Sequence, residues 1–254
     1  RTGDMVKALP WAEKALELAK KLTTYEVIAS SYIDLGTILG NTGNKKKAIE
    51  CLEKALKIAL DNGYMETALR AYNNLAVELP AEENERRLEC FEKGFELAKK
   101  VGYLSLQSWI GSVLSWAYVG VGNLNKAVLL AEESVALDRK AGNITHLPSS
   151  LDFLGYVYQV LGEWDKSEHC YNEAFSISQR LKDFQHIAGV HGFLGGFHFD
   201  KGEYAKAREF FEKMYEVYEK AGAKYFQMER SQYLIWTYIE LGEIEKANNL
   251  IDSL

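Results

Sequence analysis

The chain has 254 residues, of which 47% are hydrophobic, and a formal net charge of −6 at pH 7. Acidic and basic residues are interspersed without a basic cluster. This argues against direct binding of nucleic acid, because phosphate backbones are bound by clustered Lys and Arg. No apolar stretch approaches the about 20 residues that a membrane helix needs, so the sequence predicts no association with a membrane.

The predicted elements are helices that flank a turn phrase, usually glycine followed by Lys-Ala or Lys-Ser, which recurs every 39 or 40 residues. Its registers begin at positions 3, 43, 82, 122, 162, 202 and 242, and Glu82 stands where the others have glycine. A fixed period of this length is typical of a repeat array, in which each unit buries apolar surface against its neighbours.

The first complete turn, at Gly43, opens a predicted helix over 45–60. Ala48, Leu52 and Ala55 fall on one helical face, while Glu50 and Lys54 form a charge pair on the other. We call this charged, amphipathic type the second helix of a repeat. The next repeat is degenerate, because Pro80 ends its first helix early and Glu82 replaces the glycine.

Further along, 149–161 is apolar almost all round and predicts a first helix covered on several sides. The segment 203–220 is again amphipathic, with Tyr204, Ala207 and Phe211 on one face. The first helices are therefore expected to form the inner wall of the stack, and the second helices are expected to face water.

One repeat carries a nearly complete motif, made of Leu154-Gly155, Tyr158, Gly162, Trp164, Ser167, Tyr171 and Ala174. These repeats resemble tetratricopeptide repeats in their form of about forty residues, as in the sensor arrays of maltose-type transcription activators and of multidomain STAND signalling ATPases. The resemblance implies an all-α, right-handed superhelical solenoid of stacked antiparallel helix pairs. We expect one domain over 1–254 with about six pairs, cut from a longer protein because neither end resembles a cap.

In tetratricopeptide proteins, ligands usually contact the exposed side of the first helices. The resemblance therefore implies a groove for a ligand or partner formed by Tyr72, Asn73, Trp109, Ser112, Trp116, Asp152, Tyr156, Gln159, Phe193, Gln232 and Trp236. Trp116, Tyr156 and Trp236 are expected to be exposed. For Phe153, Phe193 and Tyr233, packing between repeats is an equal alternative.

Catalytic and cofactor chemistry is not predicted. His186, His191 and His198 lie near Asp200 but lack the spacing of a helical zinc site, and His198 stands where a packing aromatic is usual. The glycines of 189–196 lack the spacing and strand context of a dinucleotide loop. We expect no metal, cofactor or catalytic residue in this segment. The three cysteines occupy equivalent slots too far apart to pair, which predicts free thiols and a cytoplasmic protein.

The sequence thus predicts a non-catalytic protein- or peptide-binding module, the sensor or regulatory domain of a larger signalling protein. Its partner is a protein or peptide segment, with another domain of the same polypeptide as one candidate. Two alternatives stay open. One is a structural scaffold that self-associates through its open ends, and the other is a receptor for a small inducer held inside the superhelix.

Overall fold

The computed structural model describes residues 5–253, which contain α-helices, turns and one short 3₁₀ helix, Ala81–Glu83, but no β-strand. The chain divides into two compact units, and the boundary lies between Asn123 and Leu124. Unit 1 contains α1 (Met5–Leu22), α2 (Tyr25–Asn41), α3 (Lys45–Asp61), α4 (Met65–Glu78), α5 (Asn84–Val101) and α6 (Leu104–Gly120). Unit 2 contains α7 (Leu124–Ala141), α8 (Leu147–Val160), α9 (Trp164–Leu181), α10 (Phe184–Asp200), α11 (Tyr204–Lys220), α12 (Lys224–Glu240) and α13 (Ile244–Ser253).

Within each unit, every helix packs against the next one along the chain. Two pairs of successive first helices also touch: α2 contacts α4, and α8 contacts α10. This is the packing of a helical repeat solenoid, so the predicted all-α fold class is confirmed. The helices predicted over 45–60, 149–161 and 203–220 are present within two residues of those bounds. The single domain of six pairs stays a prediction.

The repeat turns are closed by glycine, as the sequence predicts. Gly162 has a φ of 75°, which residues other than glycine rarely adopt, and its N–H donates to the carbonyl of Gln159. Next to it, the N–H of Glu163 donates to the carbonyl of Tyr158. The two bonds satisfy carbonyls at the end of α8 and start α9 within three residues.

The degenerate repeat ends differently. Its first helix, α4, stops at Glu78, and Leu79 is extended before Pro80. The Arg87 side chain reaches back from α5 and donates to the carbonyl of Ala76 at 3.1 Å. A side chain therefore satisfies a carbonyl near the end of α4, where the other repeats use backbone bonds of a glycine turn.

In unit 2, the core is formed by large aromatic side chains between the paired helices. Tyr171 on α9 and Phe211 on α11 are fully or almost fully buried. Each faces a glycine of the preceding first helix: a Cβ at Gly155 would lie 2.6 Å from a ring carbon of Tyr171, and one at Gly195 would lie 2.5 Å from a ring carbon of Phe211. The Leu-Gly of the repeat motif therefore makes room for the aromatic of the next helix.

Candidate functional site: two adjoining hollows in unit 2

The main hollow of unit 2 has a volume of about 390 Å³ and lies along the first helices α8, α10 and α12, with side chains of α11 at its base. Pockets of a few hundred Å³ with apolar walls are the usual form of a ligand site. We call it the aromatic hollow, and its lining residues are Tyr156, Gln159, Gly189, Gly192, Phe193, Gly196, Phe199, Asp200, Phe211, Met214, Tyr218, Arg230, Tyr233 and Trp236.

Three glycines of α10 form the floor of the aromatic hollow. Gly189, Gly192 and Gly196 are spaced by three and four residues, so they share one helical face. A Cβ at Gly189 or Gly196 would meet nothing within 4 Å, whereas one at Gly192 would lie 3.0 Å from the sulfur of Met214. The space above α10 exists because this face carries no side chains.

The aromatic walls are held by rings of the core. Phe193 stacks on Tyr171 with ring centroids 5.6 Å apart, and Tyr233 stacks on Phe211 at 5.7 Å. Trp236 packs its edge against Tyr233 at 5.9 Å and keeps 53% of its surface exposed. Because the walls rest on buried rings, the hollow is preorganised, and Trp236 is its accessible anchor.

Polar groups meet at the carboxyl-terminal end of α8 and α10. The Tyr171 hydroxyl donates to the Gln159 side-chain oxygen at 2.9 Å, and the Gln159 amide donates to an Asp200 carboxylate oxygen at 2.6 Å. This relay joins α9, α8 and α10. It fixes the orientation of Gln159 and places the Asp200 carboxylate at the edge of the aromatic hollow.

A second hollow of about 350 Å³ lies nearer the start of α8 and α10. We call it the acidic hollow, and its lining residues are Ser149, Asp152, Phe153, Gln185, His186, Gly189, Phe193 and Tyr218. Asp152 is only 5% exposed, and its Oδ1 has no hydrogen-bond partner among the residues that the structure describes. Burial raises the pKa of this carboxyl well above its usual range.

Ser149, His186 and Asp183 form a hydrogen-bonded series at the mouth of the acidic hollow. The Ser149 hydroxyl lies 2.7 Å from His186 Nε2, and Asp183 Oδ2 lies 2.8 Å from His186 Nδ1. The order matches a serine–histidine–aspartate triad. Spacing in the sequence could not identify it, because 37 residues separate Ser149 from His186.

An oxyanion hole does not accompany this series in the described region of the two helix starts. The N–H groups of Ser149 and Ser150 donate to the carbonyl of His146, and those of Gln185 and His186 donate to Asp183 Oδ1. These four N–H groups are therefore not free to stabilise a developing oxyanion, and the series fastens the start of α10 to α8.

The other two histidines of α10 pack as aromatic residues. His191 lies between Phe175 and Phe210, with centroids 5.0 and 6.0 Å away, and burial lowers its pKa to about 4. His198 stacks on Phe210 at 5.3 Å, as expected for a histidine in a packing slot. In the described part of the chain, no group of three or more His, Cys, Asp and Glu side chains could hold a metal ion.

The motif spacing and the paired-helix fold are matched by a family model. The model described as "Tetratricopeptide repeat" covers residues 1–61 and 147–220, together more than half of the chain. The chain belongs to the tetratricopeptide repeat family. The second matched region contains α8, α10 and α11, which carry most of both hollows. No curated protein matches the chain.

Solved structures share the tetratricopeptide fold at low sequence identity. BtubC (BKLC) from P. vanneervenii matches with a TM-score of 0.71 and 15% identity, covering 86% of this chain and 92% of that one. A Rap protein complexed with Competence and Sporulation Factor matches at 0.68 and 13%, covering 99% and 72%. The STAND protein PH0952 from Pyrococcus horikoshii, which has a tetratricopeptide repeat sensor, matches at 0.65 and 16%, covering 95% of this chain and 38% of that one.

In unit 2, the structure brings four of the predicted groove residues, Tyr156, Gln159, Phe193 and Trp236, together in the aromatic hollow. Asp152 lines the adjoining acidic hollow. Gln232 is exposed on α12 and does not line either hollow. The sequence reasoning missed the side chains from α11, Met214 and Tyr218, because it considered first helices only.

In unit 1, the remaining predicted residues lie on α4 and α6. Trp116 is 44% exposed, and Tyr72 and Trp109 are partly buried. Asn73 is buried and donates to Asn74, which in turn donates to Thr37 at 3.1 Å and so joins α4 to α2. Ser112 corrects the expectation of a groove position: it is fully buried, because the small side chains of α6 form its packing face.

Proposed function

We propose that this chain is a non-catalytic binding module that holds a protein or peptide segment, as the sensor or regulatory domain of a larger signalling protein. One observation carries the proposal: three first helices of unit 2 converge on a preformed aromatic hollow of about 390 Å³ with polar groups at its edge. Exposed aromatic anchors beside a few fixed polar groups are the usual composition of an interaction hot spot.

The tetratricopeptide relatives support this function. One solved relative is a Rap protein complexed with a factor, and another is a STAND protein with a tetratricopeptide repeat sensor.

No helix among residues 5–253 combines the length and apolarity that a bilayer crossing needs. Cys51, Cys90 and Cys170 are buried free thiols, which supports the cytoplasm as the compartment.

A random-peptide display library panned against the chain tests the proposal. Selected peptides are then titrated calorimetrically against the wild type, Trp236→Ala and Trp11→Ala. Trp11 is the matched control, because it is 72% exposed on α1 and far from the hollow in sequence. We expect Trp236→Ala to weaken binding by about 2 kcal/mol, the size of a hot-spot residue, and Trp11→Ala to leave it unchanged.

The opposite pattern contradicts the proposed site. Equal affinity of the wild type and Trp236→Ala, with unchanged circular dichroism, shows that the peptides bind elsewhere. A chain that selects no peptide but associates with itself in sedimentation velocity is the structural scaffold of the first alternative. A chain that selects no peptide but binds a small metabolite in the hollow is the inducer receptor of the second.

A further inference from the structure

The two hollows of unit 2 adjoin, because Gly189, Phe193 and Tyr218 line both of them. We call the two hollows together the groove. Ser149 bonds to His186 near the starts of α8 and α10, and Gln159 bonds to Asp200 near their ends. The two helices therefore run side by side in the same direction, and the groove follows them.

Asp152 places a buried carboxyl group without a compensating partner at one end of this groove. Its Oδ1 has no hydrogen-bond partner in the described structure, and none of the other lining residues of the acidic hollow is Lys or Arg. The one group there that could carry a positive charge, His186, has both ring nitrogens engaged by Ser149 and Asp183. Burying a carboxylate without a partner is unfavourable, and a donor brought by a ligand would relieve the cost.

The glycine floor determines which side chain of a ligand fits beside the Asp152 carboxyl group. Since Gly189 and Gly196 have no neighbour within 4 Å of a Cβ, a bulky apolar side chain can rest directly on the backbone of α10. Seven residues separate Asp152 from Gln159 on α8, which corresponds to about 10 Å along a helix. An extended chain covers that length in about three residues.

We propose that the groove binds an extended peptide segment that pairs an Arg or Lys side chain with Asp152 and places a large apolar side chain, one to three residues away, in the aromatic hollow. This inference rests on the proposed function and specifies its ligand. Charge complementarity selects the basic residue at the acidic hollow, because its lining has the Asp152 carboxyl group and no Lys or Arg, whereas the lining of the aromatic hollow has both Asp200 and Arg230.

Acetylated, amidated hexapeptides with one phenylalanine and one arginine, at every separation from adjacent to three residues apart, are the probe. An identical set carries citrulline in place of arginine, which keeps the shape and removes the charge. For the best separation, we expect the wild type to bind the arginine peptide at least tenfold more tightly than its citrulline partner. The preference should shrink to about twofold or less in Asp152→Asn.

Asp165→Asn is the control variant, because it removes the same charge from an exposed position on α9 of the same unit. It should keep the full preference for arginine. The comparison of arginine with citrulline on the wild type needs no variant, so the inference can be tested even if Asp152→Asn fails to fold.

Three results overturn the inference: the wild type binds both hexapeptide sets equally, the wild type binds neither set, or Asp152→Asn keeps the preference for arginine. If library peptides nevertheless bind through Trp236, the proposed function stands and its ligand is different. If library peptides do not bind either, the proposed function falls together with the inference.

Discussion

The hydroxyl of Tyr158 on α8 donates a hydrogen bond of 2.6 Å to the carboxylate of Glu132 on α7, 26 positions earlier. The same pair recurs as Tyr118 with Glu92 and as Tyr238 with Glu212, so this contact repeats with the period of the sequence. It fastens α6, α8 and α12 each to the second helix before it. Burial and the neighbouring carboxylate raise the pKa of Tyr118 and of Tyr238 to about 12.

Removing the hydroxyl should weaken unit 2. We expect Tyr158→Phe to lower the free energy of unfolding by about 1 kcal/mol, the usual net contribution of a hydrogen bond. Urea denaturation followed by circular dichroism measures this value. Tyr103→Phe is the control, because Tyr103 is an exposed residue before α6. Equal losses in the two variants would show that the bond to Glu132 contributes nothing to stability.

Neighbouring glycines of α10 should respond in opposite directions to alanine. A methyl group at Gly195 would collide with the buried ring of Phe211, so Gly195→Ala should destabilise by about 1–3 kcal/mol, as overpacking does. A methyl group at Gly196 meets open space, and Gly196→Ala should stabilise by up to about 1 kcal/mol through helix propensity. Thermal unfolding of both variants measures these two changes in stability. A destabilised Gly196→Ala would contradict the open floor of the hollow.

The difference in stability between Asp152→Asn and the wild type should depend on pH in a defined direction. Because burial raises the folded-state pKa of Asp152, the wild type loses stability as the pH rises from the unfolded-state pKa towards the folded one. Asparagine does not titrate and avoids this loss. Cys170 and Tyr171 on α9 and His186 on α10 are the nearby titratable groups, and all three are retained in the variant.

Melting temperatures at intervals from pH 3.5 to pH 7 measure the effect. The melting temperature of Asp152→Asn minus that of the wild type should increase across this range. The exposed control Asp165→Asn should show no such increase. A difference for Asp152→Asn that stays constant or falls with pH would show that Asp152 ionises in the folded chain as easily as in the unfolded one.

The turn after α4 should be the least protected interior turn in hydrogen exchange. Pro80 has no N–H, and Leu79 is extended, whereas the turn at Gly162 is closed by two backbone bonds. We expect amides of 79–84 to exchange faster than those of 159–164. Equal protection of the two segments would show that Arg87 and its bond to Ala76 replace the missing glycine turn completely.

The fold could be predicted because its determinants are local. The recurring turn glycine and the apolar face of each helix are both visible in the sequence. Each turn and each helical face is formed by residues that lie close together in the chain. Gly155 illustrates the limit: the motif marks it, but only the packed pair shows that the ring of Tyr171 requires the missing side chain.

The site could be predicted only in part, because its contacts join residues far apart in the sequence. Trp236 follows from the exposed side of first helices, whereas Tyr156, also expected to be exposed, is partly buried. The relay from Gln159 to Asp200 and the series from Ser149 to Asp183 span 41 and 34 positions, and no spacing rule identifies such pairs. Ser112 failed as a groove position because a small polar residue also suits close helix packing.

Because one face of α10 carries no side chains, adding a side chain there would reduce the volume of the groove. At Gly189 and Gly196, an added Cβ would meet no atom of the protein within 4 Å. A series from alanine to valine to leucine at either position would therefore grade the size of the accepted side chain while the core beneath stays the same. Under the proposed function, substitutions at these two positions would change ligand preference in small steps.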